Sequence, residues 1–552
     1  MKIALAQLNY YIGDFPGNLE KMVEAVGKAR KSGAELVVFS ELSICGYPPL
    51  DLLERKSFIQ TCKEYIIRLA ELADPGIGIL VGGPEFNTGR EGKLLYNSVF
   101  FLHEGVVKQV FRKKLLPTYD IFDEYRYFEP GGETGILEFK GRRLAVTICE
   151  DLWDEQPFET EFSRNRLYTI NPLEELMEFK PHAIINLAAS PFSHRKMEVK
   201  QSIFTGKALR FGIPVLYCNQ VGAQTELIFE GGSLAVDSRG RVVHRLAFFQ
   251  EDFQVFELEE LIKDDPDRSK GTIPDRIGII AEALICGIRD YFGKLNFKSA
   301  TLGLSGGIDS AVTLTLAEKA LGAENLHVLL LPSQYSSRHS IDDSVLLARN
   351  LGVRFDILPI ETVFSEFRHV LKPLFGDLPE DIAEENIQAR IRGALLMALS
   401  NKFGNILLNT SNKSETAVGY GTLYGDMNGG LSVLGDVYKT DVYLLARYFN
   451  RTGEIIPENI ITKPPSAELK PDQKDSDSLP PYDLLDRILE AYIEKQMPAE
   501  KMVSAGFDRK LVDRIITMVN LNEYKRYQTP PILRISSKAF GFGRRLPLVA
   551  KY

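Results

Sequence analysis

The chain has 552 residues, 44% hydrophobic and 25% charged, with 44 Gly and 28 Pro. That exceeds what one hydrophobic core supports, so two or three domains are expected of a soluble globular enzyme. A net charge of −8, from 66 basic and 74 acidic residues, gives no general affinity for nucleic acid or an anionic membrane. Anionic small substrates must therefore be gripped by local basic groups.

The N-terminus, MKIALAQLNYYIGDFPGN, is apolar for one strand only. It lacks the long apolar core expected of a signal peptide, and no run approaches a membrane span. Lys2–Leu8 predicts a strand, Asn18–Lys31 a helix capped by Asn18, and Leu36–Ser40 a second strand. Further strands are predicted at Ile77–Gly82, Asn97–Leu102, Val106–Phe111, Arg143–Ile148, Ala183–Leu187 and Pro214–Cys218. Ser233–Leu258 reads as meandering hairpins turning at Asp237-Ser-Arg-Gly. Mixed strands and hairpins suit a layered α/β sandwich rather than a doubly wound sheet.

Charged, Pro- and Gly-bearing residues 261–274 read as a linker between domains at 1–260 and 275–552. Beyond it Ile277–Phe292 predicts a helix. Strands Ala300–Leu304, Leu326–Leu331, Phe355–Ile360 and Asn405–Leu408 alternate with helical stretches, as in a parallel sheet. Lys463–Pro481, rich in Pro and acids, is either a mobile lid or a solvated excursion. The five cysteines, Cys45, Cys62, Cys149, Cys218 and Cys286, lack metal-type spacing and suit a reducing cytosol.

The chemistry concentrates in two places. Ser305–Ser310 (SGGIDS) lies between the strand Ala300–Leu304 and the helical run Ala311–Leu321, with Asp309 and Ser310 at the helix start. Two glycines let backbone amides approach an anion at a helix N-terminus. No Lys follows, so this is not the loop that grips β- and γ-phosphates. It suits cleavage of ATP between its α- and β-phosphates. Asp309, and Glu415 in NTSNKSE after the strand NILL, offer hard oxygen ligands for Mg²⁺ on the pyrophosphate. In the first half, Glu41, Lys113 and Cys149 each end an expected strand. A Cys attacks an amide as thiolate and needs a base, while an ammonium stabilises the oxyanion. Taken singly, each has an ordinary reading as core, cap or surface residue.

Neighbouring words change that. SELSICGYPPLD, RKKLLPTYDIFDEYRYF, TICEDLWD and NLAASPF resemble the nitrilase superfamily, in its glutamine-amidase branch. The resemblance implies an α-β-β-α sandwich with Glu41 as base, Lys113 as oxyanion-stabilising ammonium and Cys149 as nucleophile. Lys114 is the neighbouring alternative; Lys113 stands three residues before Leu116 of the Leu-Pro pair, as in that family. Tyr119, Ser190 and Lys196 are implied glutamine contacts and Glu124 an auxiliary acid. Cys45 reads as part of a turn, and Trp153, the only Trp, as core or pocket wall.

LSGGIDSA, LPSQYSS, ENIQARIRG, TSNKSETAVGYGTLYGDMNGG, GDVYKTDVYLLAR, KPPSAELKPDQ and LPPYDLLD resemble NAD synthetases of the PP-loop ATP pyrophosphatases. Together with the first half, they follow the order of the glutamine-dependent NAD synthetase family over nearly the whole chain. Ser476 stands where that family often has an acid. The resemblance assigns Gly303, Leu304, Ser305, Gly306, Gly307, Ile308, Asp309, Ser310 and Thr410 to ATP, and Asn386, Glu415 and Lys525 to deamido-NAD. Lys439 is an implied phosphate contact. The implied reaction forms an adenylate of deamido-NAD with loss of pyrophosphate, then amidates it with ammonia from L-glutamine. Mg²⁺, ATP as co-substrate, an ammonia tunnel, a homo-oligomer and a cytoplasmic location complete the expectation. Lys2 excludes an asparagine synthetase with its exposed Cys, and the first half lacks the Cys–His pattern of a GMP synthetase.

Overall fold

The computed structural model describes every residue except 133–134, 155–166, 264–273, 467, 472, 474 and 552. The chain divides into two compact units, Met1–Ile273 and Pro274–Tyr552. Most of the expected linker therefore lies outside the described residues. Its first residue, Leu261, is buried in the core of the first unit.

In chain order the strands of the first unit are β1 (Lys2–Gln7), β2 (Leu36–Val38), β3 (Gly78–Phe86), β4 (Leu95–His103), β5 (Val106–Arg112), β6 (Leu137–Phe139) and β7 (Arg142–Ile148). They continue as β8 (Ala183–Ala188), β9 (Val215–Asn219), β10 (Val221–Gln224), β11 (Leu227–Glu230), β12 (Leu234–Val236), β13 (Val242–Arg245) and β14 (Asp252–Glu257). One six-stranded sheet has the order β14-β1-β2-β3-β4-β5 and the other β13-β12-β9-β8-β7-β6.

The period-2 alternation of β1 assigns its faces. Ile3 and Leu5 join Val146, Ile148 and Ile185 in the core between the sheets. Ala4 and Ala6 face Met22, Ala25 and Ala29 of the helix Phe15–Lys31, and Ile59 and Ile66 of Lys56–Ala70. Phe204 and Ala208 of the helix Lys196–Phe211 cover the second sheet. Each large side chain so buried contributes roughly 1.5–3 kcal/mol. The result is a four-layer α-β-β-α sandwich.

Two local expectations are corrected. The first helix begins at Phe15, and Asp14 is its cap, accepting from Gly17 N at 3.1 Å. Asn18 lies inside the helix, with its buried carboxamide on both backbone groups of Tyr11. In Ser233–Leu258 only β12 and β13 form a hairpin, about the Asp237 turn; β14 crosses to the other sheet and pairs antiparallel with β1.

The second unit holds β15 (Ala300–Gly303), β16 (Leu326–Leu330), β17 (Arg354–Ile357), β18 (Ile406–Asn409) and β19 (Leu431–Ser432), all parallel, ordered β17-β16-β15-β18-β19. The order reverses at β15, which opens a crevice beyond the carboxyl ends of β15 and β18.

Candidate active sites

In the first unit, strand ends converge. Glu41 follows β2, Lys113 follows β5 and Cys149 follows β7. The Lys113 ammonium donates to Glu41 Oε1 at 2.7 Å and to both oxygens of Glu124 at 2.9 and 2.8 Å. Glu41 also accepts from Asn97 Nδ2 at 2.8 Å and from the Ala189 amide at 3.1 Å. Tyr47 Oη donates to Glu124 at 2.9 Å. Glu41, Lys113, Glu124 and Cys149 are all buried.

The neighbouring Lys114 turns the other way, as successive residues of an extended chain do. Its ammonium pairs with Glu175. Asp151 fixes this register by accepting from the amides of Lys114, Leu115 and Ile148, which ties the end of β5 to the end of β7.

Electrostatics follow from burial of four ionisable groups. Burial alone would depress the Lys113 ammonium, but Glu124 and Glu41 hold it well above the usual lysine range. Burial, opposed by Lys113 and reinforced by Glu41, pushes the Glu124 carboxyl up to about 7. Burial and the Glu41 carboxylate push the Cys149 thiol well up, with Lys113 opposing. Cys149 therefore rests as a thiol, close enough to the Glu41 carboxylate to feel its charge. Its φ of +42° is in the left-handed region, a strained turn that presents the side chain at the end of β7.

The expected glutamine residues gather here. Tyr119 Oη and Tyr168 Oη donate to Glu150 Oε1 at 2.8 and 2.9 Å, beside Cys149. Lys196, half-buried at the start of its helix, acts on Glu150 through its charge. Ser190 follows Ala189, and its amide donates to Asn219 Oδ1 at 2.9 Å. Sequence reasoning gave no role to Asn97, Tyr47, Glu150, Tyr168 or Asn219. Only Glu150 carried a signal, its position next to Cys149.

The second unit has a cavity of about 610 Å³ at the crevice, within the range of small-molecule sites. From Gly303 to Ser310, every residue expected to hold ATP except Gly306 lines it, as do Thr410, Asn386, Glu415 and Lys525. Gly306 instead packs behind the loop with φ +78°, where a Cβ would stand 2.4 Å from Ser340 O. Ser305 Oγ and Ser310 Oγ lie 3.2 Å apart, and the Gly307 amide donates to Ser305 Oγ at 3.2 Å, which draws the loop tight over the helix Ile308–Leu321.

Lys439, which opens the helix Lys439–Phe449, spans the two carboxylates: 2.6 Å to Asp309 Oδ2 and 3.1 Å to Glu415 Oε1. Asn412 also links them, donating to Asp309 Oδ1 at 2.8 Å and accepting from the Glu415 amide at 3.0 Å. Burial, opposed by Lys439 and reinforced by Asp309 and Asp475, pushes the Glu415 carboxyl up to about 7. Asp309 and Glu415 place two carboxyl groups, the hard oxygen donors that suit Mg²⁺, on one wall of the cavity.

Asn386 Oδ1 accepts from Thr422 Oγ1 at 2.7 Å, and Lys525 Nζ donates to the carbonyls of Gly419 and Gly421 at 2.8 Å each. Close to Lys525, Arg526 and Arg534 are buried. The 463–481 segment contributes Lys463, Glu468, Leu469 and Asp475 to the lining, so it borders the cavity. Ser476 is exposed, whereas its neighbour Asp475 is buried and accepts from Tyr482 Oη at 2.9 Å.

Residues 2–264 match the family model described as carbon-nitrogen hydrolase, and residues 280–529 the one described as NAD synthase. A relative from Synechocystis sp., "Glutamine-dependent NAD(+) synthetase", is 46% identical over 100% of this chain and 99% of its own length. One of the same name from Thermotoga maritima is 41% identical over 100% and 99%. Among solved structures, a glutamine-dependent NAD+ synthetase from Acinetobacter baumannii in complex with ADP is 38% identical, with a TM-score of 0.78 over 99% of this chain and 98% of that one. A Cytophaga hutchinsonii structure, 20% identical with a TM-score of 0.82 over 100% and 98%, shares the fold.

Proposed function

The chain belongs to the family of glutamine-dependent NAD(+) synthetases, and from that premise we propose that Glu41, Lys113 and Cys149 release ammonia from L-glutamine for amidation of an adenylate of deamido-NAD. The observation that carries the glutaminase half is the single buried cluster in which Lys113, not Lys114, joins Glu41 and Glu124 beside Cys149.

Glu41 takes the Cys149 proton as the sulfur attacks the amide carbon, and returns it to the departing ammonia. Lys113 stabilises the oxyanion as a fixed charge in a dry pocket. Glu124 and Tyr47 hold that ammonium in place. Glu41 then activates the water that hydrolyses the thioester, leaving glutamate. Tyr119, Ser190 and Lys196 bind the glutamine substrate.

In the second unit the nicotinate carboxylate attacks the ATP α-phosphorus, giving an adenylate and pyrophosphate. The Ser305–Ser310 amides and Lys439 grip the phosphates, Thr410 joins them, and Asn386, Glu415 and Lys525 orient deamido-NAD. Asp309 and Glu415 would hold Mg²⁺, which supplies charge neutralisation at the pyrophosphate. Ammonia attacks the activated carbonyl, releasing AMP and NAD. Ammonia is mostly protonated at neutral pH, so a route shielded from water preserves the nucleophile. A homo-oligomer in the cytoplasm belongs to the same reading; no helix among the described residues is long and apolar enough to cross a membrane.

Product analysis tests this. Purified protein given deamido-NAD, Mg-ATP and either glutamine or ammonium should form NAD with AMP and pyrophosphate. Formation of ADP and phosphate instead would sink the reading of the ATP loop.

A further inference from the structure

We propose that Asp486, acting with the hydroxyl of Ser414, is a positioning residue of the ATP-splitting site, setting Lys439 so that its ammonium spans Asp309 and Glu415. The inference deepens, and rests on, the reading of this cavity as the ATP site.

The helix Lys439–Phe449 starts at Tyr438 without a side-chain cap, so its first amides need acceptors from elsewhere. Two other helices supply them. The Lys439 amide donates to Ser414 Oγ at 2.9 Å, and the Thr440 amide to Asp486 Oδ2 at 2.9 Å. The Ser414 hydroxyl donates in turn to Asp486 Oδ1. A backbone amide can only donate and a carboxylate can only accept, so the direction of this chain is fixed. Ser414 and Asp486 are both buried.

Ser414 immediately precedes Glu415, so the residue that receives the Lys439 amide also anchors one partner of the Lys439 ammonium. The helix Tyr482–Leu489, which carries Asp486, supports the other end as well. The Tyr482 ring lies under Lys439 Nζ, 5.1 Å from its centroid, and the Tyr482 hydroxyl donates to Asp475. One helix therefore holds the Thr440 amide, next in the chain to Lys439, and also meets the Lys439 ammonium. The contacts of 2.6 and 3.1 Å leave little room, because a shift of about half an ångström lengthens one beyond hydrogen-bond range.

The test uses the full chain with ammonium as nitrogen source, so that the glutaminase takes no part. Steady-state kcat and KM for ATP are measured for Asp486→Asn, Ser414→Ala, Lys439→Met and the pairs with Lys439→Met. Asp486→Asn should lower kcat/KM for ATP about tenfold, and cost less than about twofold once Lys439 is already Met. Glutamate release from glutamine should stay at the wild-type rate. A merely structural cap would give the same fractional loss in both backgrounds, and that result overturns the proposal, as does wild-type kcat/KM in Asp486→Asn. If Asp486→Asn does not fold, Ser414→Ala run through the same cycle decides on the same criteria. If Lys439→Met itself keeps wild-type ATP kinetics, the role given to Lys439 falls and the proposal with it, which separates the two failures.

Discussion

Gly306→Ala is the sharpest perturbation available in the second unit. Gly306 holds φ +78°, and the added Cβ would stand 2.4 Å from Ser340 O and 2.9 Å from Ser340 C. An unstrained carbon–oxygen contact is about 3.3 Å, so the loop or the Ser340 backbone must yield by roughly 0.9 Å. Left-handed backbone costs an alanine about 1–2 kcal/mol. Overpacking against backbone adds about 1–3 kcal/mol. Neither term unfolds the unit, but both act on the loop whose amides are proposed to meet the phosphates. A displacement near 1 Å at a positioned group costs on the order of 100-fold in rate. Ammonium-driven NAD formation should therefore fall about a hundredfold, while glutamate release by the same preparation is unchanged. Gly306→Ala enzyme forming NAD within about twofold of wild type would refute the argument.

Lys113→Met should abolish glutaminase activity and destabilise the first unit by about 3–5 kcal/mol, because two buried carboxylates lose their cation. Lys114→Met, which removes a pair with the partly exposed Glu175, should cost about 1 kcal/mol or less and spare activity; denaturant titration and glutamate release check both. Glu415, pushed up to about 7 from 4.5 by burial despite Lys439, favours its protonated form in the folded state. Its stabilisation is full below its unfolded value and is lost as pH rises through the folded value. The wild-type unfolding free energy should drop relative to Glu415→Gln by on the order of 3 kcal/mol across that window; parallel pH profiles would contradict it. Lys525→Met, freeing the Gly419 and Gly421 carbonyls, should raise KM for deamido-NAD about tenfold with little effect on KM for glutamine.

Strand positions were largely legible because the apolar runs are short and bounded, as in Arg142–Ile148 and Ala183–Ala188. Partners were not. The pattern of β14 matches that of a hairpin strand, yet its mate is β1, more than two hundred residues away. The Asn18 cap misled because Asp14 also precedes the apolar periodicity, and a proline at Pro16 extends the helix backward to Phe15. Glu41, Lys113 and Cys149 could be named because each ends a strand and sits in a family word. Asn97, Tyr47 and Asn219 had no such signal, since a polar residue inside an apolar run declares its partner only once the sheets are packed. The sequence marks Lys439 only through the resemblance, and its bridge between Asp309 and Glu415 rests on partners such as Ser414 and Asp486 that no local pattern announces.

The central claim is one chain with two chemistries, a thiol site that makes ammonia and an ATP site that uses it. Cys149→Ala tests it most directly, with NAD formation followed from deamido-NAD and Mg-ATP in the presence of glutamine or ammonium. Glutamine-driven synthesis should vanish while ammonium-driven synthesis keeps its wild-type rate. Continued use of glutamine, or loss of the ammonium reaction as well, would contradict it.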